Sequence, residues 1–91
     1  MLSKQFIKSL KDKAHSLKPV ILVGNKGLTE SVYNEIAIAL NAHELIKIKL
    51  AGVERDERKA MISEMVNKTK SHLINTIGAI AVIYKENTDK K

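Results

Sequence analysis

The chain has 91 residues, 44% of them hydrophobic and 29% charged, which suits one soluble domain with a single modest core. It contains no cysteine, which excludes disulfides and thiolate metal sites, and its apolar runs are too short to span a membrane. Sixteen Lys and Arg against ten Asp and Glu give a formal charge of +6, and a small domain this basic usually binds a polyanion such as nucleic acid. Because the N-terminus also lacks the apolar run of a signal peptide, we expect a cytoplasmic protein.

Residues 3–16 have the pattern of an amphipathic helix. Its apolar side chains recur at spacings of three and four, at Phe6, Leu10, Ala14 and Leu17. A second stripe is basic and comprises Lys4, Lys8, Lys11, His15 and Lys18. Asp12 is the single acidic residue in this segment, so local ion pairing would leave most of the basic stripe free to bind an anion.

A glycine-bounded loop follows the first predicted strand. Residues 20–23 are a continuous apolar run, which favours a strand buried on both faces. Gly24-Asn25-Lys26-Gly27 joins this strand to a helix predicted over residues 28–41, with Thr29 as its N-cap. Glycines allow a close backbone approach, N–H groups at a turn and helix start attract anions, and Lys26 adds positive charge. GxxG loops clamp nucleic acid in KH domains, although an ordinary strand-to-helix turn can have the same spacing.

The next segment alternates in a way that is typical of a half-buried strand. Over residues 45–51, the apolar residues Ile46, Ile48 and Leu50 are expected to face the core. Lys47 and Lys49 are expected on the opposite, solvent-facing side, where they would add to the basic surface.

The C-terminal part predicts one helix and a hairpin. The helix spans residues 56–69, and Arg55 and Arg58 lie at its start. Strands at 73–77 and 80–84 are joined through Gly78-Ala79, and Lys85 follows the second strand.

The order helix, strand, helix, strand, helix, strand, strand predicts an α/β fold with a two-layer, mixed four-stranded sheet. Alternation implies one parallel pair, and the hairpin adds antiparallel strands. The apolar first and fourth strands favour interior positions in that sheet. We expect residues 1–91 to form a single domain, with residues 87–91 as a frayed tail.

Catalysis has little support in the sequence. His15, His43 and His72 are far apart and do not form a metal-ligand motif, and neither paired carboxylates nor a nucleophile elbow is present. We therefore expect a protein without enzymatic activity, cofactor or metal.

These segments together resemble the YhbY family, the stand-alone bacterial form of the CRM domain (chloroplast RNA splicing and ribosome maturation). The resemblance covers residues 2–86 and rests on residues 10–17, 19–29, 43–49, 76–78 and 80–85. It implies a fold similar to the C-terminal domain of bacterial translation initiation factor three. It also implies RNA binding through the GxxG loop and the adjoining basic surface, and association with precursors of the large ribosomal subunit. One departure is Lys85, where the family commonly has arginine, so a planar guanidinium is replaced by a point charge.

We therefore expect a monomer that binds RNA, namely ribosomal RNA in precursors of the large subunit. The candidate RNA-binding residues are Gly24, Asn25, Lys26, Gly27, Lys4, Lys8, Lys11, His15, Lys18, Lys47, Lys49, Arg55, Arg58 and Lys85. Three alternatives stay open: an adaptor whose basic faces dock acidic proteins, an RNA chaperone or splicing-type module, and a small nuclease, which the missing acid–base pair disfavours.

Overall fold

The computed structural model describes residues 2–24 and 26–86. The elements in chain order are α1 (Lys4–Ala14), β1 (Ile21–Val23), α2 (Glu30–His43), β2 (Leu45–Leu50), α3 (Arg55–Thr69), β3 (His72–Ile77) and β4 (Ile80–Tyr84). This is the predicted order, and each boundary lies within two residues of the predicted one. The tail expected at residues 87–91 lies outside the described residues.

Side-chain caps explain why two of the helices begin where they do. The hydroxyl of Ser3 accepts a hydrogen bond from the Phe6 N–H at 3.1 Å, and the hydroxyl of Thr29 accepts one from the Val32 N–H at 3.2 Å. Each bond satisfies a donor that the first helical turn would otherwise leave unpaired. The predicted cap at Thr29 is thereby confirmed.

The four strands form one mixed sheet in the order β1-β2-β4-β3. β1 and β2 are parallel, whereas β4 is antiparallel to both of its neighbours, β2 and β3. The parallel pair, the hairpin and the interior position of the fourth strand are confirmed. The interior position expected for the first strand is wrong: β1 is an edge strand, and the side chain of Leu22 is 63% exposed. Its apolar run is buried only through Ile21 and Val23.

Helices cover both faces of the sheet, so the fold has three layers rather than the two expected. On one face α2 and α3 pack against a core that includes Ile46, Ile48 and Leu50 of β2. On the other face α1 buries Leu10 and Ala14 in a second core, together with Leu45, Ile74, Val82 and Tyr84. The prediction failed because the second face of the sheet is itself partly apolar and gives the apolar stripe of α1 a surface to cover.

None of the helices in the described part of the chain is long and apolar enough to cross a lipid bilayer.

Candidate nucleic-acid interface

The GxxG loop is a tight turn closed by its own backbone hydrogen bonds. The Gly27 N–H donates to the Gly24 carbonyl at 3.0 Å, and the Thr29 N–H donates to the Gly27 carbonyl at 3.1 Å. These two amides are therefore occupied within the loop and are not available to an anion. Lys26 is exposed at the tip, while Asn25, a predicted contact, lies outside the described residues. The groups that remain to attract an anion are Lys26 and the positive end of α2, whose first turn also carries the acidic Glu30.

The two glycines of the loop have different structural roles. Gly27 has a φ of +74°, a left-handed conformation that side chains other than glycine rarely adopt. Gly24 has no such φ, and a Cβ built on it would meet no atom within 4 Å. The fold therefore requires glycine at position 27 but not at position 24. Gly24 is exposed and offers a bare stretch of backbone to solvent, which is what a closely approaching ligand would need.

The start of α3 lies beside the loop. A Cβ on Gly27 would stand 4.0 Å from the terminal methyl of Met61, so the N-terminal half of α3 adjoins the turn. Arg58 lies one helical turn before Met61 and is half-buried, and Arg55 is the exposed first residue of the helix. Both connections leave the C-terminal ends of parallel strands, which meet at one end of the sheet. Three of the predicted cations, Lys26, Arg55 and Arg58, therefore belong to the same end of the sheet, which we call the loop end.

The basic stripe of α1 lies on the flank of the helix opposite the one that lies beside Leu45 and Tyr84. The helix contacts both β2 and β3 and therefore lies across the strands. One flank lines a pocket beside Leu45 and Tyr84, through Phe6, Leu10, Lys13 and Leu17. Roughly 160° around the helix, at about 100° per residue, is the exposed stripe of Lys4, Lys8, Lys11 and His15. This stripe is exposed to solvent.

The two lysines of β2 have different environments although their spacing in the sequence is that of one face. Lys49 is exposed, as predicted. Lys47 is only 9% exposed, and its ammonium group donates a 3.1 Å hydrogen bond to the carbonyl of Leu17. The expectation that Lys47 faces solvent is therefore wrong, because the segment that follows α1 covers it. Its ammonium group binds the protein's own backbone and is not a surface contact.

Two further predicted contacts lie at the other end of the sheet. Lys85 follows Tyr84, which pairs with Leu45 at the start of β2, and the length of β2 separates this point from the loop end. Lys18 lines the pocket of about 550 Å³ beside the same residues. The structure therefore does not bring Lys18 and Lys85 together with the GxxG loop.

A second basic pocket, of about 450 Å³, surrounds Lys85. Lys68 and Lys70 line it as well, and the ammonium group of Lys68 lies 4.6 Å from the centre of the Tyr33 ring. Sequence reasoning missed these two lysines because they come from α3 and its end, whereas Lys85 follows β4, so no local pattern connects them. Burial raises the pKa of the Tyr33 hydroxyl above its ordinary 10.0, and the Glu64 carboxylate adds to this.

Among the described residues, no group of three His, Cys, Asp or Glu side chains is placed to hold a metal ion. The loop end carries the exposed cations Lys26 and Arg55 and the half-buried Arg58, and the first turns of α2 and α3 also carry Glu30, Asp56 and Glu57.

Comparisons with known proteins match nearly the whole chain. The sequence profile of the CRS1 / YhbY (CRM) domain matches residues 2–85. An RNA-binding protein of Haemophilus influenzae is 47% identical over 88 residues, which are 97% of this chain and 86% of that protein. The Pseudomonas aeruginosa protein named Probable RNA-binding protein PA4753 is 45% identical over 86 residues, 94% of this chain and 83% of the relative.

A solved structure has the same fold. The solution structure of the hypothetical protein SAV1595 from Staphylococcus aureus superposes with a TM-score of 0.80 at 30% sequence identity. The superposition covers 100% of this chain and 98% of that one, so the three helices and the mixed sheet are shared over the full length.

Proposed function

The chain belongs to the CRS1 / YhbY (CRM) domain family, and from this we propose that it is a non-enzymatic RNA-binding protein that holds the phosphate backbone at the loop end. The observation that carries the proposal is that Lys26, Arg55 and Arg58 belong to the same end of the sheet as Gly24, a glycine that the fold does not require. The relatives from Haemophilus influenzae and Pseudomonas aeruginosa are named as RNA-binding proteins, which supports the same ligand.

The physical basis of binding is the release of counterions from RNA phosphates by the basic side chains. With about four to six phosphate contacts, the slope of log affinity against log salt is expected near −3 to −5. Sequence preference is expected to be weak, because lysine and arginine contacts to phosphates carry no base information.

The test compares two lysines that carry the same charge at different places. Lys26→Ala is expected to weaken RNA binding by about 1 kcal/mol and to lower the salt slope by slightly less than one unit. Lys13→Ala removes the same charge from the flank of α1 that lines the pocket at the other end of the sheet, and it is expected to bind nearly like wild type. Equal effects of the two changes would show that net charge alone matters and would contradict a site at the loop.

We further propose that the RNA is ribosomal RNA in precursors of the large subunit and that the protein acts in the cytoplasm as a monomer. This finer proposal depends on the resemblance to the YhbY family rather than on the geometry of the loop. Cell extract sedimented on a gradient at low magnesium tests it, because the protein is expected in fractions that contain large-subunit precursors. Sedimentation only with free protein would contradict this target, and light scattering of the purified protein checks the monomer.

Incubation with labelled RNA separates the proposal from the nuclease alternative. The RNA is expected to remain intact, and turnover that depends on the protein would contradict a purely binding role. An adaptor for acidic proteins would bind a polyanionic peptide as well as RNA of equal charge, whereas the proposed protein is expected to prefer RNA.

A further inference from the structure

A row of four side chains crosses the sheet beside the loop end. Leu22 of β1 pairs with Lys49 of β2, Lys49 pairs with Ile80 of β4, and Ile80 pairs with Ile77 of β3. Paired residues of neighbouring strands point to the same face of a sheet. We call Leu22, Lys49, Ile80 and Ile77 the sheet row; three of its four members are apolar, and one comes from each strand.

α1 covers the rest of this face of the sheet but does not cover the sheet row. α1 buries Leu45, Val82 and Tyr84, which lie on the same face but nearer the other end of the strands. Beyond that cover, Leu22 is 63% exposed, Ile77 is 48% exposed and Ile80 is half-buried. With strands about 4.8 Å apart, the row forms a strip roughly 14 Å wide, in which Lys49 separates Leu22 from Ile80 and Ile77. Contiguous exposed apolar patches that are rimmed by polar residues mark interaction sites.

Positive charge surrounds and interrupts the strip. Lys49 lies within the row itself, and Gly24 begins the GxxG loop two residues beyond Leu22. On α1, the exposed stripe of Lys4, Lys8, Lys11 and His15 lies on the flank opposite the one that lines the pocket beside Leu45 and Tyr84. An RNA strand whose phosphates lie on these cations would therefore have its bases directed over an apolar surface.

The charge of the row also argues against a second copy of the chain as the occupant. A two-fold interface brings the same patch of both copies together, so the Lys49 side chains would be buried near one another without a counter-charge. Double-stranded RNA is disfavoured as well, because its bases are paired inside the helix and cannot reach an apolar surface.

We propose that Leu22, Ile77 and Ile80 form an apolar floor for unpaired nucleobases of RNA whose phosphates are held by Lys49 and Lys26. The inference rests on the proposed RNA binding and states which part of the RNA the protein recognises: single-stranded segments, contacted through the faces of their bases. The contact is apolar and does not read the hydrogen-bonding edges, so it distinguishes unpaired from paired RNA but not one base from another.

The chain offers a matched control for this test. Leu73 lies on β3, the same strand as Ile77, and is 46% exposed, but it pairs with Ile83 and so lies on the face covered by α2 and α3. The variants are Leu22→Thr, Ile77→Thr and the double variant, with Leu73→Thr as the control. Threonine has a β-branched side chain that suits a strand, so thermal melting is expected to show all variants folded.

Affinity is measured for two probes, an oligouridylate and an RNA duplex of the same length, at two salt concentrations. The double variant is expected to bind oligouridylate roughly fivefold more weakly or worse, since it removes apolar contact area. Its salt slope is expected to stay unchanged, because no charge is lost. The affinity for the duplex, and both affinities of Leu73→Thr, are expected to match wild type.

Several outcomes would overturn the inference. If the double variant binds oligouridylate as tightly as Leu73→Thr does, the row is not part of the binding site. In that case a loss of affinity in Lys26→Ala would still support RNA binding at the loop. Failure of the wild type to bind either RNA would instead overturn the proposed function itself. Light scattering that shows a wild-type dimer and a monomeric double variant would identify the row as an interface between copies.

A measurement on the wild-type protein covers the case in which the variants unfold. Oligonucleotides that contain 4-thiouridine crosslink to side chains in contact with the base, and the crosslinked peptides are identified by mass spectrometry. Crosslinks are expected in the peptides that carry Leu22, Ile77 or Ile80. Crosslinks confined to α2, the second half of α3 or the pocket around Lys85 would overturn the inference.

Discussion

The ammonium group of Lys47 donates a 3.1 Å hydrogen bond to the main-chain carbonyl oxygen of Leu17. Leu17 follows the end of α1, and Lys47 lies near the middle of β2. The bond therefore ties the segment that joins α1 and β1 to the centre of the sheet. It also places a positive charge close to the C-terminal end of α1, where the helix dipole is negative.

Removal of this bond is expected to cost stability. Lys47→Ala leaves a covered carbonyl without its donor and is expected to lower the free energy of unfolding by about 1–3 kcal/mol. Lys49→Ala, an exposed position on the same strand, is expected to change it by less than about 0.5 kcal/mol. Urea unfolding measures both. The expected effects on RNA affinity are reversed: folded Lys47→Ala is expected to bind RNA like wild type, and Lys49→Ala is expected to bind RNA more weakly. A stability loss for Lys49→Ala alone would contradict the assignment.

The glycines of the loop are expected to respond differently to alanine. Gly27→Ala forces a side chain into a positive φ and is expected to destabilise the protein by about 1 kcal/mol. Gly24→Ala meets no steric obstacle and is expected to keep or slightly raise stability, since alanine restricts the unfolded chain. Its Cβ would nevertheless stand where a phosphate is expected to approach, so its affinity for RNA is expected to fall. Unchanged RNA binding by Gly24→Ala would indicate that the glycine serves only the turn.

The face assignment of β2 has a direct test. Ile48 is fully buried in the central part of the sheet, and Ile48→Asp would place a carboxylate there without a partner. We expect this variant to be unfolded by circular dichroism at neutral pH. Lys49→Asp puts the same side chain one residue further on, in an exposed position, and is expected to remain folded. The reverse result would mean that the two faces of the strand are exchanged.

The hydroxyl of Tyr33 is buried and has no hydrogen-bond partner among the described residues. Tyr33→Phe keeps the ring beside Lys68 and removes this unsatisfied group, so its free energy of unfolding at neutral pH is expected to equal or exceed that of wild type. A loss of stability in urea unfolding at neutral pH would instead reveal a hydrogen bond to the hydroxyl.

Alkaline pH gives the same tyrosine a second test. Burial, with a smaller effect of Glu64, raises the pKa of Tyr33 in the folded protein above 10.0. The unfolded chain therefore loses its proton first, and the stability that this residue contributes is present below pH 10.0 and falls as the pH rises above it. Burial raises the pKa of Tyr84 in the same way, so Tyr33→Phe is expected to reduce the alkaline loss of stability without abolishing it. An identical pH dependence in wild type and Tyr33→Phe would contradict the shift.

Much of the fold could be predicted from the sequence because the deciding interactions are local. The spacing of apolar residues in α1, the cap at Thr29 and the Gly78-Ala79 turn each depend on residues a few positions apart, and the predicted elements and their order are confirmed. The resemblance to the YhbY family is also confirmed, by a match over residues 2–85. The contact residues stay predictions, although the sequence already identified Lys26, Arg55 and Arg58, which the fold brings to one end of the sheet.

Only the tertiary structure decided which of these patterns meets solvent and which meets protein. Lys47 and Lys49 are equivalent in an alternating sequence, but α1 and the segment after it cover one and leave the other exposed. The apolar residues of β1 predict an interior strand, yet the strand order puts β1 and its Leu22 at an edge of the sheet. There Leu22 lies in a row with residues 27 or more positions away in the sequence. Burial depends on how far a helix extends over the sheet and on which strands are neighbours, and both are set by contacts between segments far apart in the chain. Alternation within a strand specifies that two faces exist, whereas the packing of α1 determines how much of the second face stays open.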